Sequence, residues 1–341
     1  MSQHDAIYLM RTGSAEKAFE RKKQNDPKPA PGQVLIRTEG FGLNFADVVA
    51  REGNYPDCPP LPAVIGYDVA GHIEALGEGV TDLNIGDRVT AMTRFGGYAE
   101  LVVTDARAVA KIPDSLDLTQ ATSLTTQYIT AWYAAVHHVN LFPGDKVLIH
   151  AAAGGVGTAL TQIAKWKGCE IFGTAGSEEK LEYIKSQGVD HPINYRTRDF
   201  EQEVKKLAPN GIDVVFDAIG GPSVKKGKRL LTAGGRLVLY GAADMTGANV
   251  FKKIKVGLGF GIYHPVQFMM SSTSLIGINM LRIADDRPEV LKRCLQGVIE
   301  QVEAGVLNPP KGELYHVDQL AEAHTRLETR KSKGKIALSW K

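Results

Sequence analysis

The sequence predicts an α/β protein of two domains: a β-rich module of irregular strands, and a doubly wound parallel sheet. Three observations predict this. Short apolar runs broken by Pro and Gly fill the chain up to about Ser123. Strands and helices then alternate from Thr125 onward. A glycine-rich turn, Ala151 to Gly157, falls directly between an apolar strand and a helical run. The length of 341 residues suits two domains sharing one chain.

In the first part, Val34–Arg37 reads as a strand after the turn 29–32. Val69–Leu76 alternates in part, and Tyr98–Val103 reads as a further strand. Pro56, Pro59, Pro60 and Pro62 punctuate a loop between them. In the second part, strands are predicted at Lys146–His150, Glu170–Thr174, around Ile193, at Val214–Asp217 and at Arg236–Tyr240. Helical spacing runs from Val156 to Lys167 and from about Ser177 to Gln187. Near-continuous apolar strands in β-α-β order imply a parallel sheet covered on both faces. A helix from about Pro288 to Ala304 and a strand Lys335–Leu338 close the chain. The expected division is residues 125–285 for the nucleotide-binding domain, and 1–124 with 286–341 for the other.

Composition excludes several classes. Hydrophobic residues make up 43% and charged residues 23%, a globular and not a disordered balance. The net charge of +2, spread without an arginine-rich arm, argues against nucleic acid. The polar start Met1–Asp5 is no secretory signal, and Cys58, Cys169 and Cys294 form no Cys-x-x-Cys pair. A cytoplasmic location is expected.

Chemistry concentrates at Ala151-Ala152-Ala153-Gly154-Gly155-Val156-Gly157. A dinucleotide pyrophosphate needs backbone N–H groups at close range and the positive end of a helix dipole, and glycines permit both. Gly154, Gly155, Val156 and Gly157 are therefore assigned to the cofactor, with Ala152 standing where the fingerprint's first glycine belongs. An acid for an NAD ribose is expected near Thr174, but the sequence there is Gly173-Thr174-Ala175-Gly176-Ser177. Its absence favours NADPH, with Ser177 donating to the 2′-phosphate and Lys180 supplying charge; Lys180 also reads as a solvated helix lysine.

The segments Gly66–Gly71, Gly77, Gly79, Val80 and Gly86–Val89 have glycine spacing that resembles the medium-chain dehydrogenase/reductase family, and with the fingerprint the resemblance covers nearly the whole chain. It implies a GroES-like barrel, a Rossmann domain and a cleft between them. Positions matching the catalytic zinc ligands of zinc-dependent members read Asn44, Tyr67, Asp68 and Thr126, so no metal is expected. Gly42–Asp47 and Arg51–Pro56 resemble the zinc-free quinone oxidoreductases. Gly188–Tyr195 is similar to the vesicle amine transport protein branch, whose animal members are described as membrane-associated.

That resemblance implies the remaining roles. Asn44 lies near the nicotinamide ribose, Tyr55 faces the acceptor, Tyr67 takes the vacated ligand position and Thr130 lies near the nicotinamide ring. Tyr195 approaches the adenosine phosphate, and Gly220, Gly241 and Asn279 fall where the last strands and loops pass the cofactor. Each has a plainer reading: Asn44 as an Asx cap, Tyr55 as a surface aromatic, Tyr67 as a structural residue. A phenol with an ordinary pKa near 10 is a weak acid at neutral pH, which leaves water as the alternative proton source. The resulting expectation is an NADPH-dependent reductase of a small quinone or enone.

The alternative expectation is a nucleotide-binding protein of low turnover. From Val256 to Leu281 there is no Lys, Arg, Asp or Glu, while Lys252, Lys253 and Lys255 precede it. His264, Pro265, Gln267 and Ser271–Ser274 argue against a membrane span and leave peripheral contact with lipid or a partner. The plainer reading is an apolar loop followed by a buried strand, Leu275–Ile278. The family habit implies a homodimer or tetramer through the sheet edge Leu275–Asn279, and a dimer is expected.

Overall fold

The structure, a computed structural model, describes residues 2–245 and 256–341, so Lys252, Lys253 and Lys255 lie outside the described residues. The chain forms two compact units, Met1–Ile129 with Met280–Lys341, and Thr130–Asn279.

The first unit is built on sheet that is antiparallel except where Glu313–His316 pairs parallel with Ile336–Ser339. Its larger sheet runs Glu313–His316, Ile336–Ser339, Gln33–Leu43, Asp68–Leu76, Arg88–Met92 and Val109–Lys111, with Leu101–Asp105 also pairing Gln33–Leu43. The long strand Gln33–Leu43 bends because its register against Asp68–Leu76 shifts twice, between Leu35 and Ile36 and between Thr38 and Gly40. At Gly71 a Cβ would lie 2.1 Å from the Arg37 carbonyl oxygen, so the two strands approach this closely only with glycine there. Helix Phe45–Arg51 follows directly from this strand, with Asn44 as its extended N-cap residue. The expected strand Tyr98–Val103 begins later, at Leu101. Tyr98 instead bonds through its N–H to the Ile65 carbonyl and buries its ring completely.

The second unit is a six-stranded, wholly parallel sheet. Its order is His191–Asn194, Glu170–Ala175, Lys146–Ile149, Ile212–Asp217, Leu231–Leu239, Ser274–Gly277. In chain order this is 3-2-1-4-5-6, the doubly wound arrangement expected from the sequence. Helices Gly155–Trp166, Glu178–Gln187, Phe200–Leu207 and Pro222–Leu230 connect successive strands. Leu148, Phe172, Ile193, Val215 and Leu237 form the core, together with Val204 and Val224 from two of these helices.

The strand expected at Leu275–Ile278 is present as Ser274–Gly277, but it is not buried. Among the described residues it pairs only with Leu231–Leu239 and forms the sheet's edge, and Leu275 is 40% exposed. Burial on both faces requires cover on both, and the helix before it, Pro265–Ser271, buries no residue. Val256, Phe260 and Tyr263 hold the start of this stretch: Val256 is buried, and the two rings pack on the core. Ile262, Met269 and Met270 are 94%, 75% and 81% exposed. Among the described residues, no helix is long and apolar enough to cross a membrane.

Candidate functional site

Parallel doubly wound sheets bind ligands outside the carboxyl ends of their strands, where the order reverses. Here that point lies between Lys146–Ile149 and Ile212–Asp217. The first strand leads through His150 and Ala151 to Gly154, the N-cap of helix Gly155–Trp166, whose first turn carries no acid. The amides of that turn have no intrahelical acceptor and concentrate the helix's positive end on Gly155, Val156 and Gly157. At Gly157 a Cβ would lie 2.4 Å from the Ala151 carbonyl oxygen and 2.7 Å from Ala152 Cα, so the helix can start this close to the strand only with glycine. Ala151 takes the left-handed conformation, with φ of 51°, that turns the chain. Ala152, in place of the fingerprint's first glycine, fits because Gly173 opposite it has no side chain: a Cβ there would be 3.2 Å from Ala152 Cβ.

The next strand ends at Ala175, and Ser177 caps the following helix, its Oγ accepting the Lys180 amide N–H. A hydroxyl used as an acceptor keeps its own proton to donate. The first acid after the strand, Glu178, is held by Asn194 Nδ2 at 3.0 Å. Tyr195 and Arg196 converge over Gly176, where a Cβ would lie 2.7 Å from the Tyr195 hydroxyl and 3.2 Å from Arg196 Nε. Arg196 is a candidate that sequence reasoning did not single out. Its signal was available: a basic residue two places past a strand that runs parallel to Glu170–Ala175 in adjacent register.

Across the reversal point, buried Asp217 shapes the loop that carries Gly220. Its carboxylate accepts the N–H groups of Ile219 at 2.6 Å and Gly220 at 2.9 Å, and the Ser223 hydroxyl at 2.6 Å. Gly220 has φ of 79° and packs under Phe260. Gly241 lies against Ala218, and Asn279 follows the edge strand. His150 is buried beside Thr174, Nδ1 to Oγ1 at 3.1 Å, with Nε2 unpartnered; burial pushes its pKa down. Thr130 is buried in the single helical turn Ile129–Trp132, between two π-helical segments, Leu124–Tyr128 and Tyr133–His138.

The first unit brings Asn44, Asp68, Thr125, Thr126 and Lys335 together. Asn44 Nδ2 donates to Asp68 Oδ2 at 2.6 Å, and Lys335 Nζ donates to Asn44 Oδ1 at 3.1 Å. Asp68 Oδ1 accepts the Thr125 hydroxyl at 2.7 Å and the Thr126 N–H at 2.9 Å, as well as the Thr126 hydroxyl. Lys335 also pairs with Asp68, and both side chains are within 1% of full burial. Asn44, Asp68 and Thr126, with the neighbouring Tyr67, are the positions that match zinc ligands elsewhere, and they do not fit zinc: amide, phenol and hydroxyl replace thiolate and imidazole. The one carboxylate is already committed to an ammonium and two threonines. Among the described residues no group of three or more His, Cys, Asp or Glu could hold a metal ion.

Beside this cluster lie three rings. Tyr55 and Tyr67 are edge to face at 6.3 Å, and Tyr67 and Phe95 are 5.2 Å apart. The Tyr67 hydroxyl is buried without a hydrogen-bond partner. Burial raises its pKa, and burial likewise raises that of Tyr55 against the lowering effect of the Tyr67 hydroxyl. Both phenols therefore stay protonated at neutral pH and act as hydrogen-bond donors.

Residues 30–114 match the alcohol dehydrogenase GroES-like domain family and residues 155–296 the zinc-binding dehydrogenase family. The synaptic vesicle membrane protein VAT-1 homolog of Danio rerio is 36% identical over 98% of this chain and 69% of its own length. The crystal structure of the human VAT-1 homolog-like protein superposes with a TM-score of 0.86 at 29% identity, covering 99% of this chain and 98% of that one. Escherichia coli quinone oxidoreductase, solved as a complex with NADPH, gives 0.85 at 25% identity over 98% of this chain and 99% of its own.

Proposed function

Because the chain belongs to the medium-chain dehydrogenase/reductase superfamily, we propose that it is an NADPH-dependent, zinc-independent reductase of quinones or α,β-unsaturated carbonyls. The observation that carries this reading is the donor set at the end of the second parallel strand. Tyr195 and Arg196 meet over Gly176 beside the cap Ser177, Lys180 follows one helical turn in from that cap, and the first acid after the strand, Glu178, is tied to Asn194. Such a set suits a 2′-phosphate and would be wasted on an unphosphorylated ribose. The glycine turn at Gly154–Gly157 suits the pyrophosphate.

When bound, NADPH supplies the hydride. The chain's own residues bind and orient. By the family resemblance, Asn44 of the first unit is assigned to the nicotinamide ribose; separately, in the second unit, Thr130 is assigned to the nicotinamide ring and Gly220, Gly241 and Asn279 to the cofactor's path. Tyr55, Tyr67 and Phe95 form an aromatic cluster of mutually inclined rings, one of whose edges or faces suits a ring or conjugated carbonyl. The unpartnered Tyr67 hydroxyl gains a bond when an acceptor oxygen reaches it, and that bond strengthens as charge grows on the oxygen. Both phenols have raised pKa values, so they orient the acceptor and water delivers the proton. The experiment is NADPH consumption against a panel of ortho- and para-quinones and enones, with NADH in parallel. Faster turnover with NADPH supports the reading, and no turnover with any acceptor overturns it.

The exposed apolar face of Ile262, Met269 and Met270 favours a second reading, an NADPH-binding protein of low turnover that contacts lipid or a partner. Flotation with lipid vesicles, with and without Met269→Asp/Met270→Asp, separates the two. The open edge Ser274–Gly277 supports a homodimer, and a monomeric elution volume on sizing would overturn that.

A further inference from the structure

We propose that Lys335 is a positioning residue whose ammonium, paired with Asp68, fixes the orientation of the Asn44 side-chain amide. The proposal rests on the reading of Asn44 as a cofactor contact. An amide has two ends that ordinary packing barely distinguishes, since its oxygen and nitrogen are nearly the same size. At Asn44 electrostatics distinguishes them. Lys335 Nζ can only donate, and it faces one end at 3.1 Å; Asp68 Oδ2 accepts from the other at 2.6 Å. Turning the amide over would set its N–H groups against an ammonium and its oxygen against a carboxylate. With Asn44 only 6% exposed, no water would relieve either contact. The Asn44 oxygen also takes part in the capping box with the Asp47 backbone N–H, which leaves one amide N–H for a ligand, in a fixed place.

Three features hold the device. Thr125 and Thr126 anchor the other oxygen of Asp68, so the carboxylate cannot swing away. The Lys335 stem runs past Gly42, where a Cβ would lie 2.3 Å from Lys335 Cε; glycine there opens the path for the ammonium. Helix Phe45–Arg51 begins at Asn44, whose N–H donates to Asp47 Oδ2 at 2.7 Å, so its backbone is fixed as well.

The test uses the full-length protein and four variants: Asn44→Ala, Lys335→Met, and the charge-free pairs Asp68→Asn/Lys335→Met and Asp68→Asn/Lys335→Gln. Readouts are melting temperature, NADPH dissociation constant by fluorescence titration, and kcat and KM with the best acceptor. Lys335→Met alone strands a buried carboxylate and loses stability. The Met pair removes both charges and regains the melting temperature, yet matches Asn44→Ala in weakening NADPH by about tenfold or more, the scale of one charge-assisted hydrogen bond. The Gln pair restores a donor toward Asn44 and recovers most of that affinity. A Met pair with wild-type NADPH affinity and kcat, beside an impaired Asn44→Ala, would reduce Lys335 to a structural role and overturn the proposal. Should the Met pair fail to fold, the Gln pair decides: impairment equal to Asn44→Ala overturns it. If Asn44→Ala itself is unimpaired, the cofactor reading of Asn44 falls first.

Discussion

Arg282 pairs with Asp57 across 225 residues of sequence, tying the loop that carries Tyr55 to helix Met280–Asp286. Three residues on, Asp285 pairs with Arg94 at 2.6 Å beside Phe95. One short helix thus holds both loops that present aromatic rings. These pairs are partly exposed and each contributes about 0.2–1 kcal/mol. Arg282→Ala is expected to raise KM for the acceptor by up to about fivefold, on that energy scale, and to leave NADPH affinity alone. High salt should shrink the difference, and the swap Asp57→Arg/Arg282→Asp should restore part of it. Steady-state kinetics at two ionic strengths checks this.

Arg196→Ala and Lys180→Ala address the nucleotide preference. Each is expected to weaken NADPH by about tenfold, as for loss of a charge-assisted bond, while leaving NADH unchanged. Equal loss with both nucleotides would move these side chains away from the 2′-phosphate.

The glycine turn makes a graded prediction. Gly157→Ala sets a methyl against backbone at 2.4 Å, where nothing can yield without moving the helix start, and is expected to abolish nucleotide binding. Gly173→Ala meets side-chain methyls, Val189 at 2.9 Å and Ala152 at 3.2 Å, and should cost about 1–3 kcal/mol of stability as mild overpacking. Calorimetry and nucleotide titration of the two variants give the comparison.

Two buried groups of the first unit oppose one another in their response to pH. Burial chiefly, with Asp68 adding to it, pushes the Asp47 carboxyl up to about 7. The folded state therefore binds that proton more tightly than the unfolded chain, and the advantage is lost as pH rises toward 7. Burial, then the Arg51 charge, holds the His324 imidazole down to about 3. It stays neutral when folded, so stability falls as pH drops from about 6.5, the unfolded imidazole's value, toward 3. Asp47→Asn should expose a melting temperature that climbs through this range, and His324→Gln one that declines from about 4 to 7. Melting curves at half-unit pH intervals would show both slopes or refute them.

The parallel sheet was legible because its strands are apolar runs and its helices carry the helical period, as at Val147–Ile149 and Val156–Lys167. The first unit was harder. Phe19–Asn25 forms a strand from Phe-Glu-Arg-Lys-Lys-Gln-Asn, which no alternation marks; its partner Gln3–Leu9 decides it through a full register of backbone bonds. The edge position of Ser274–Gly277 was equally hidden, since Leu-Ile-Gly reads the same whether or not anything covers it. Tyr55, Tyr67 and Asn44 were singled out through motifs, whereas Lys335 sat at a strand's start as an ordinary flanking charge. Its partners Asp68 and Asn44 are 267 and 291 residues away, beyond any local pattern. Arg196 was missed for a similar reason, since only adjacent strand register brings it over Gly176.

If a second copy pairs with the edge strand Ser274–Gly277, folding becomes a reaction with an order in concentration. Whatever pairs with Ser274–Gly277 and shelters Met269 and Met270 lends its association energy to the folded state, by mass action. If a second copy does so, the melting point climbs with each dilution step reversed, and a crowded preparation outlasts a dilute one.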